Sequence, residues 1–263
     1  MRLVKAHAYG NDFLLLQEQD VPPGVDRAQV ARDLCDRHRG AGADGVITYA
    51  DGPRGARMQL LNADGSYSEI SGNGVRCLAA WLARTRDLRK GQSVDIETDA
   101  GIKTLELLET QGRRLTFRAS MGQPEQIARR SIDLDGTPVD AITLRVGNPQ
   151  CVVLGEVTEA RLHGIASRLA VHPSFPHGTN VELAAVEPPD VVRILIWERG
   201  VGPTEASGTG ACAAAVAAIS YGGAPRDVQV ASPGGVQRVE WREAGLFLTG
   251  WAELVFEGRW FPD

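Results

Sequence analysis

No stretch of this 263-residue chain is apolar for long enough to span a bilayer as a helix; the longest uninterrupted apolar run is nine residues, Ala211 to Ile219. No block or stripe of lysine and arginine is present, and the formal net charge is −5. Both absences argue against a membrane or a nucleic acid as partner. The four cysteines (Cys35, Cys77, Cys151, Cys212) make no C-x-x-C pair and no disulfide-like framework, so reduced thiols in a cytoplasmic protein are expected. The five histidines are scattered without the cysteine or carboxylate spacing of a ligand set, and no metal is expected. Met1 to Lys5 leads towards a polar Gly10-Asn11-Asp12 turn without the apolar segment of a secretory signal. Low-complexity segments and long linkers are lacking as well.

What is present is globular. Apolar residues make up 43% and charged residues 23%, and the length allows one large domain or two of ordinary size. Strand-like runs occupy Leu3–Lys5, Phe13–Gln17, Arg57–Leu61, Val94–Thr98, Lys103–Leu108 and Arg114–Ser120. A second series covers Ala141–Val146, Cys151–Leu154, Val191–Trp197, Asp227–Ala231, Val236–Trp241, Leu246–Thr249 and Ala252–Phe256. Helical patterns cover Asp26–His38, Val75–Arg84, Thr158–Ala170 and Gly210–Tyr221. The turn-rich region 121–140 reads as a crossing point.

The two series share an offset. Ser71-Gly72-Asn73-Gly74 and Ser207-Gly208-Thr209-Gly210 each open an apolar run, 136 residues apart. Asp44 precedes Asn180 by 136, Asn62 precedes Glu198 by 136, and Gly10-Asn11 precedes Gly147-Asn148 by 137. A shared offset over half the chain indicates two duplicated halves rather than a solenoid. The run after Ser207 is apolar on all sides, which marks a buried helix, and the run after Ser71 is similar in its first turns. The fold class expected is therefore α+β: two pseudo-symmetric half-domains, each an antiparallel sheet or barrel wrapped around a central buried helix. The halves are 1–120, with the C-terminal strand joining it, and 121–263, with a ligand cleft between them.

Each serine-led run also carries chemistry. A helix N-terminus presents unpaired N–H groups and the positive end of the helix dipole. Two such ends would hold a carboxylate and stabilise negative charge developing beside it. Serine is equally a preferred N-cap, so either hydroxyl alone has a structural reading.

Eight segments run in order along the chain: His7-Ala8-Tyr9-Gly10-Asn11-Asp12-Phe13, Arg39-Gly40-Ala41-Gly42-Ala43-Asp44-Gly45, Asn62-Ala63-Asp64-Gly65-Ser66 through Gly72-Asn73-Gly74-Val75-Arg76-Cys77, Val146-Gly147-Asn148-Pro149, Asn180-Val181, Glu198-Arg199-Gly200, Gly208-Thr209-Gly210-Ala211-Cys212-Ala213 and Pro233-Gly234-Gly235. Together they resemble the diaminopimelate epimerases, which invert an amino-acid centre without a cofactor. The resemblance implies two-base chemistry: one group removes the α-proton and another returns a proton to the opposite face. It implies that Ser71 and Ser207 occupy the two catalytic positions, with Glu198 and Gln150 beside them. Backbone donors at Gly72, Asn73, Gly208 and Thr209 would bind the reacting carboxylate. Asn11, Asn62, Asn148, Asn180 and Arg199 would hold the distal amino-acid end, Arg199 through a bidentate pair with its carboxylate. No cofactor is implied, the partner is a small amino-acid substrate, and the resemblance admits a homodimer.

The departures are specific. The family carries cysteines where this chain has Ser71 and Ser207, a histidine where it has Gln150, and Gly-Glu-Thr where it has Gly202-Pro203-Thr204. Cys77 and Cys212 lie about 9 and 7.5 Å further along their helices and should point into the core. A thiol has a pKa of about 8.5, against about 15.7 for water as a proxy for a hydroxyl; the gap is on the order of 10 kcal/mol in forming the base. A serine in this role needs an activating partner. Three readings stay open: an epimerase working through hydroxyls, an enzyme of the same fold with another substrate (a racemase, dehydratase or isomerase), and an amino-acid-binding homologue without turnover.

Overall fold

The two serine-led runs become helices of 14 residues each in a computed structural model that describes residues 1–261. The chain divides into two compact units: Met1–Ala119 with the segment from Gly250 onward, and Ser120–Thr249.

The first unit opens with the antiparallel strands β1 (Arg2–Ala8) and β2 (Asn11–Gln17). Tyr9 and Gly10 join them with φ of 56° and 88°, the type I′ geometry that matches hairpin twist. Helix α1 (Arg27–Cys35) is capped by Asp26, whose carboxylate accepts the N–H groups of Ala28 and Gln29. It carries the chain to β3 (Gly45–Gly52), parallel to β2, as a parallel pair requires. β4 (Gly55–Asn62) returns antiparallel to β3, and a short β5 (Tyr67–Ser68) follows. Helix α2 (Gly72–Thr85) then crosses to β6 (Ser93–Thr98), parallel to β4. β7 (Gly101–Gln111) and β8 (Arg114–Gly122) continue as a meander. The returning strand segment pairs with β1 from Glu253 to Arg259, and the Leu254 N–H donates to the Arg113 carbonyl. These pairings close a barrel around α2, whose Val75, Cys77, Leu78, Ala79 and Ala80 are buried.

The second unit repeats this order. β9 (Glu125–Leu134) and β10 (Thr137–Val146) are antiparallel, as are β10 and β11 (Asn148–Leu154). β12 (Asn180–Glu187) is parallel to β11, and β13 (Val191–Glu198) is antiparallel to β12. After the short β14 (Gly202–Thr204), helix α3 (Gly208–Tyr221) crosses to β15 (Asp227–Ser232), parallel to β13. β16 (Gly235–Arg242) and β17 (Gly245–Arg259) follow antiparallel. Corresponding parallel pairs keep the repeat: Phe13 aligns with Gly45 as Gln150 aligns with Asn180, and Gly55 with Asp95 as Val191 with Gln229. The alanines of α3 are fully buried and let the strands approach closely, while Val216 contributes about 1.5–3 kcal/mol by full burial.

Three local features differ from the sequence pattern. Residues 121–140 are not a turn-rich crossing: they hold β9 and the start of β10, a hairpin turning at Asp135-Gly136 with φ of 53° and 86°. Ile132, Leu134 and Val139 point inward while Arg129 and Asp140 pair outside, so a period of two runs beneath the polar surface. The helical stretch Thr158–Ala170 is broken into Glu159–Arg161, a π-type turn at Leu162–Ala166 containing Gly164, and Ser167–Ala170. β3 and β12 go beyond the strand-like runs because both begin buried on both faces and lack alternation. No helix among the described residues is long and apolar enough to cross a membrane.

Candidate active site

In the first unit Ser71 is the N-cap of α2, with extended backbone (φ −129°, ψ 122°), and its Oγ accepts the Gly74 N–H at 3.1 Å. Such a cap contributes about 0.5–2 kcal/mol. Gly72 follows in open space: nothing stands within 4 Å of where a Cβ would lie. The Asn73 amide is oriented by its neighbours. Its Oδ1 accepts from Arg76 Nη1 at 3.2 Å, and its Nδ2 donates to Asn11 Oδ1 at 3.3 Å. Asn11 Nδ2 then donates to Asp44 Oδ2 at 2.8 Å, and Asp44 Oδ1 accepts from Arg37 at 2.8 Å. The relay runs from a buried cation to a carboxylate, which fixes both amide orientations. Asn62 ends β4 and is tied to this group only through the backbone, where the Ala63 N–H donates to the Asp44 carbonyl; its own Nδ2 donates to Ser66 Oγ at 3.0 Å.

In the second unit Ser207 is the N-cap of α3, and its Oγ accepts the Gly210 N–H at 3.2 Å, 3.5 Å from Thr209 Oγ1. Gly208 is closed in, since a Cβ there would lie 3.0 Å from Leu248. Gln150 Nε2 donates to Asn148 Oδ1 at 2.6 Å, while its Oε1 is buried without a partner. Asn180 Oδ1 accepts the Arg199 N–H at 3.0 Å, and Arg199 Nη1 donates to the His177 carbonyl at 2.7 Å. Burial raises the Glu198 carboxyl above its usual range, and the neighbouring Ser207 hydroxyl holds it back.

One residue of this group escapes the motifs. Glu182 on β12 is fully buried against the first turn of α3: a Cβ on Gly210 would lie 2.7 Å from its Oε1. Burial, then the charge of Glu198, push its carboxyl well above the ordinary range. The signal in the sequence is a single acid at an inward position of the run Val181-Glu182-Leu183-Ala184. Cys77 and Cys212 are fully buried, and burial raises the Cys77 thiol, so it offers no base. Among the described residues no group of three or more histidine, cysteine or acidic side chains could hold a metal ion.

Two serine-capped helix ends, each beside a set of oriented amides, repeat one plan, and comparison with known proteins agrees. The sequence model described as diaminopimelate epimerase matches residues 3–127 and 142–255. The chain belongs to the diaminopimelate epimerase family. A relative in Desulforudis audaxviator (strain MP104C), named diaminopimelate epimerase, is 40% identical over 99% of both chains. Among solved structures, a predicted epimerase from Pseudomonas aeruginosa is similar with a TM-score of 0.75 at 15% identity, covering 100% of this chain and 99% of that one. A hydroxyproline epimerase from Agrobacterium vitis, solved with trans-4-hydroxy-L-proline, gives 0.68 at 18% identity, covering 98% and 90%. At these identities the two structures support the fold alone.

Proposed function

We propose that this protein interconverts LL- and meso-diaminopimelate by taking a proton from the α-carbon and returning one, without pyridoxal phosphate, with Ser71 and Ser207 as the proton-transfer groups. Family membership across nearly the whole chain carries this reading. The hydroxyls need help that thiols would not. Glu198 lies beside Ser207 and takes the hydroxyl proton as the Ser207 oxygen removes the α-proton; the Ser71 hydroxyl donates to the carbanion, and the cycle closes when water reprotonates the Ser71 oxygen and Glu198 releases its proton to solvent. The corresponding strand end in the first unit is Asn62, which cannot act as a base. The N–H groups opening α2 and α3 (Gly72, Asn73, Gly208, Thr209) stabilise the charge that develops on the carboxylate. Asn11, Asn62, Asn148, Asn180 and Arg199 hold the second amino-acid end. Four buried cysteines suit a reducing compartment, and we place the protein in the cytoplasm.

Incubation with LL-diaminopimelate, followed by chiral separation, tests the reading. The meso isomer accumulates, whereas amino acids with one amino-acid end, such as lysine, stay unchanged. A chain that leaves diaminopimelate untouched while inverting another amino acid would refute it.

A further inference from the structure

Residues two apart on a strand share a face, so β12 turns Asn180, Glu182 and Ala184 the same way. Ala184 packs in the core around α3, and Glu182 therefore faces that helix. Glu182 pairs in register with Ile196 and Val181 with Trp197, which puts Glu198 one diagonal step from Glu182 on the same face. Gln150 stands diagonally on the other side, since β11 aligns Gln150 with Asn180 and Val152 with Glu182. Both carboxyl oxygens of Glu182 and the Oε1 of Gln150 are buried without a hydrogen-bond partner. Every one of these atoms is an acceptor if Glu182 is ionised. A carboxylic acid, by contrast, has a donor to offer.

We propose that Glu182 and Glu198 hold a single proton between them, carried on Glu182, and that Glu182 thereby acts as a positioning residue for the Glu198–Ser207 pair. The inference rests on the reading of Ser207 as a proton-transfer group. Glu198 faces Glu182 from β13, and from β11 the uncharged Gln150 and Val152 share its face; Cys151 turns to the opposite core with Val181 and Leu183, its thiol kept protonated by burial. Helix α3 meets it at Gly210 beside Ser207, with Cys212 in the same core; β10, β15 and β16 turn apolar side chains to the helix, and the buried Gln237 of β16 is uncharged. Among the described residues no cation acts on Glu182. With Glu182 neutral, Glu198 ionises beside the Ser207 hydroxyl. When Glu182 loses its proton, two carboxylates repel across one strand pair, Glu198 is displaced, and exchange falls on the alkaline side.

The test follows protonated glutamate by infrared spectroscopy of the full chain labelled with carboxyl-13C glutamate, together with the pH profile of α-proton exchange. The unaltered chain is expected to show a glutamate that stays protonated above the ordinary glutamate range and that Glu182→Gln lacks. In Glu198→Gln this signal titrates at least about one pH unit lower, because its negative neighbour is gone. The alkaline fall in exchange moves up by at least about one pH unit in Glu182→Gln. Absence of the signal, a titration unmoved by Glu198→Gln, or an alkaline limb unmoved by Glu182→Gln would overturn the proposal. The spectroscopic arm needs no turnover. A coupled signal in a chain that exchanges no α-proton would therefore support the shared proton while refuting the functional reading.

Discussion

The carboxyl of Glu182 stands so close to Gly210 that a methyl group on that glycine would lie 2.7 Å from Oε1 and 3.2 Å from the Ser207 Cβ. Gly210→Ala is therefore expected to destabilise the fold by about 1–3 kcal/mol, read from urea denaturation. Gly72 has nothing within 4 Å, so Gly72→Ala should change stability by less than about 1 kcal/mol. Its effect should appear instead as weakened diaminopimelate binding in calorimetry, because in the proposed function the methyl group enters the space that the carboxylate takes.

Stability should respond to pH through opposite signs at two places. Burial opposes the charge on Asp12, but hydrogen bonds from Arg37 and Lys5 outweigh it and lower its pKa. Its contribution is present above the ordinary aspartate range and lost as pH falls through the folded value. The Glu182 and Glu198 carboxyls are raised, so their folded environment takes up protons, and stability declines as pH rises from the ordinary glutamate range towards their folded values. Denaturation midpoints across pH should show Asp12→Asn flattening the acid limb. Glu182→Gln should flatten the decline above the glutamate range and be more stable than the unaltered chain at neutral pH.

The two serines should not be equivalent. Glu198 closes β13 beside Ser207, whereas Asn62 closes β4 in the corresponding place. Deuterium should enter one stereoisomer with retention faster than the centre inverts, and Glu198→Gln should abolish that excess while lowering exchange by about 100-fold or more. Equal rates of exchange and inversion in the unaltered chain would contradict the asymmetry.

Arg199 is exposed, and one guanidinium nitrogen is committed to the His177 carbonyl. Loss of a charge-assisted bond to a carboxylate is worth about 1.5–3 kcal/mol, so Arg199→Met should raise KM roughly 10- to 150-fold. Steady-state kinetics should show the larger change in KM rather than kcat, as expected for a group remote from the reacting carbon.

The sequence made the plan of the fold readable because the 136-residue offset links turns and helix starts, which glycine, asparagine and serine mark chemically. The buried cysteines Cys77 and Cys212 followed from helical rise alone. β3 and β12 stayed hidden since strands buried on both faces do not alternate. Glu182 was hidden for a related reason: its significance comes from α3, whose Gly210 lies 28 positions further along the chain. The Arg76–Asn73–Asn11–Asp44 relay likewise joins three segments whose spacing carries no period.

The central claim is that serine hydroxyls move a proton at an amino-acid α-carbon. Proton NMR of diaminopimelate incubated with the protein in D2O tests it most directly. The α-proton signal is expected to be lost with the unaltered chain, to persist with the Ser71→Ala, Ser207→Ala double variant, and to be lost faster with the Ser71→Cys, Ser207→Cys double variant. An α-proton signal that stays constant over long incubation, in a protein that calorimetry shows to bind diaminopimelate, would contradict it.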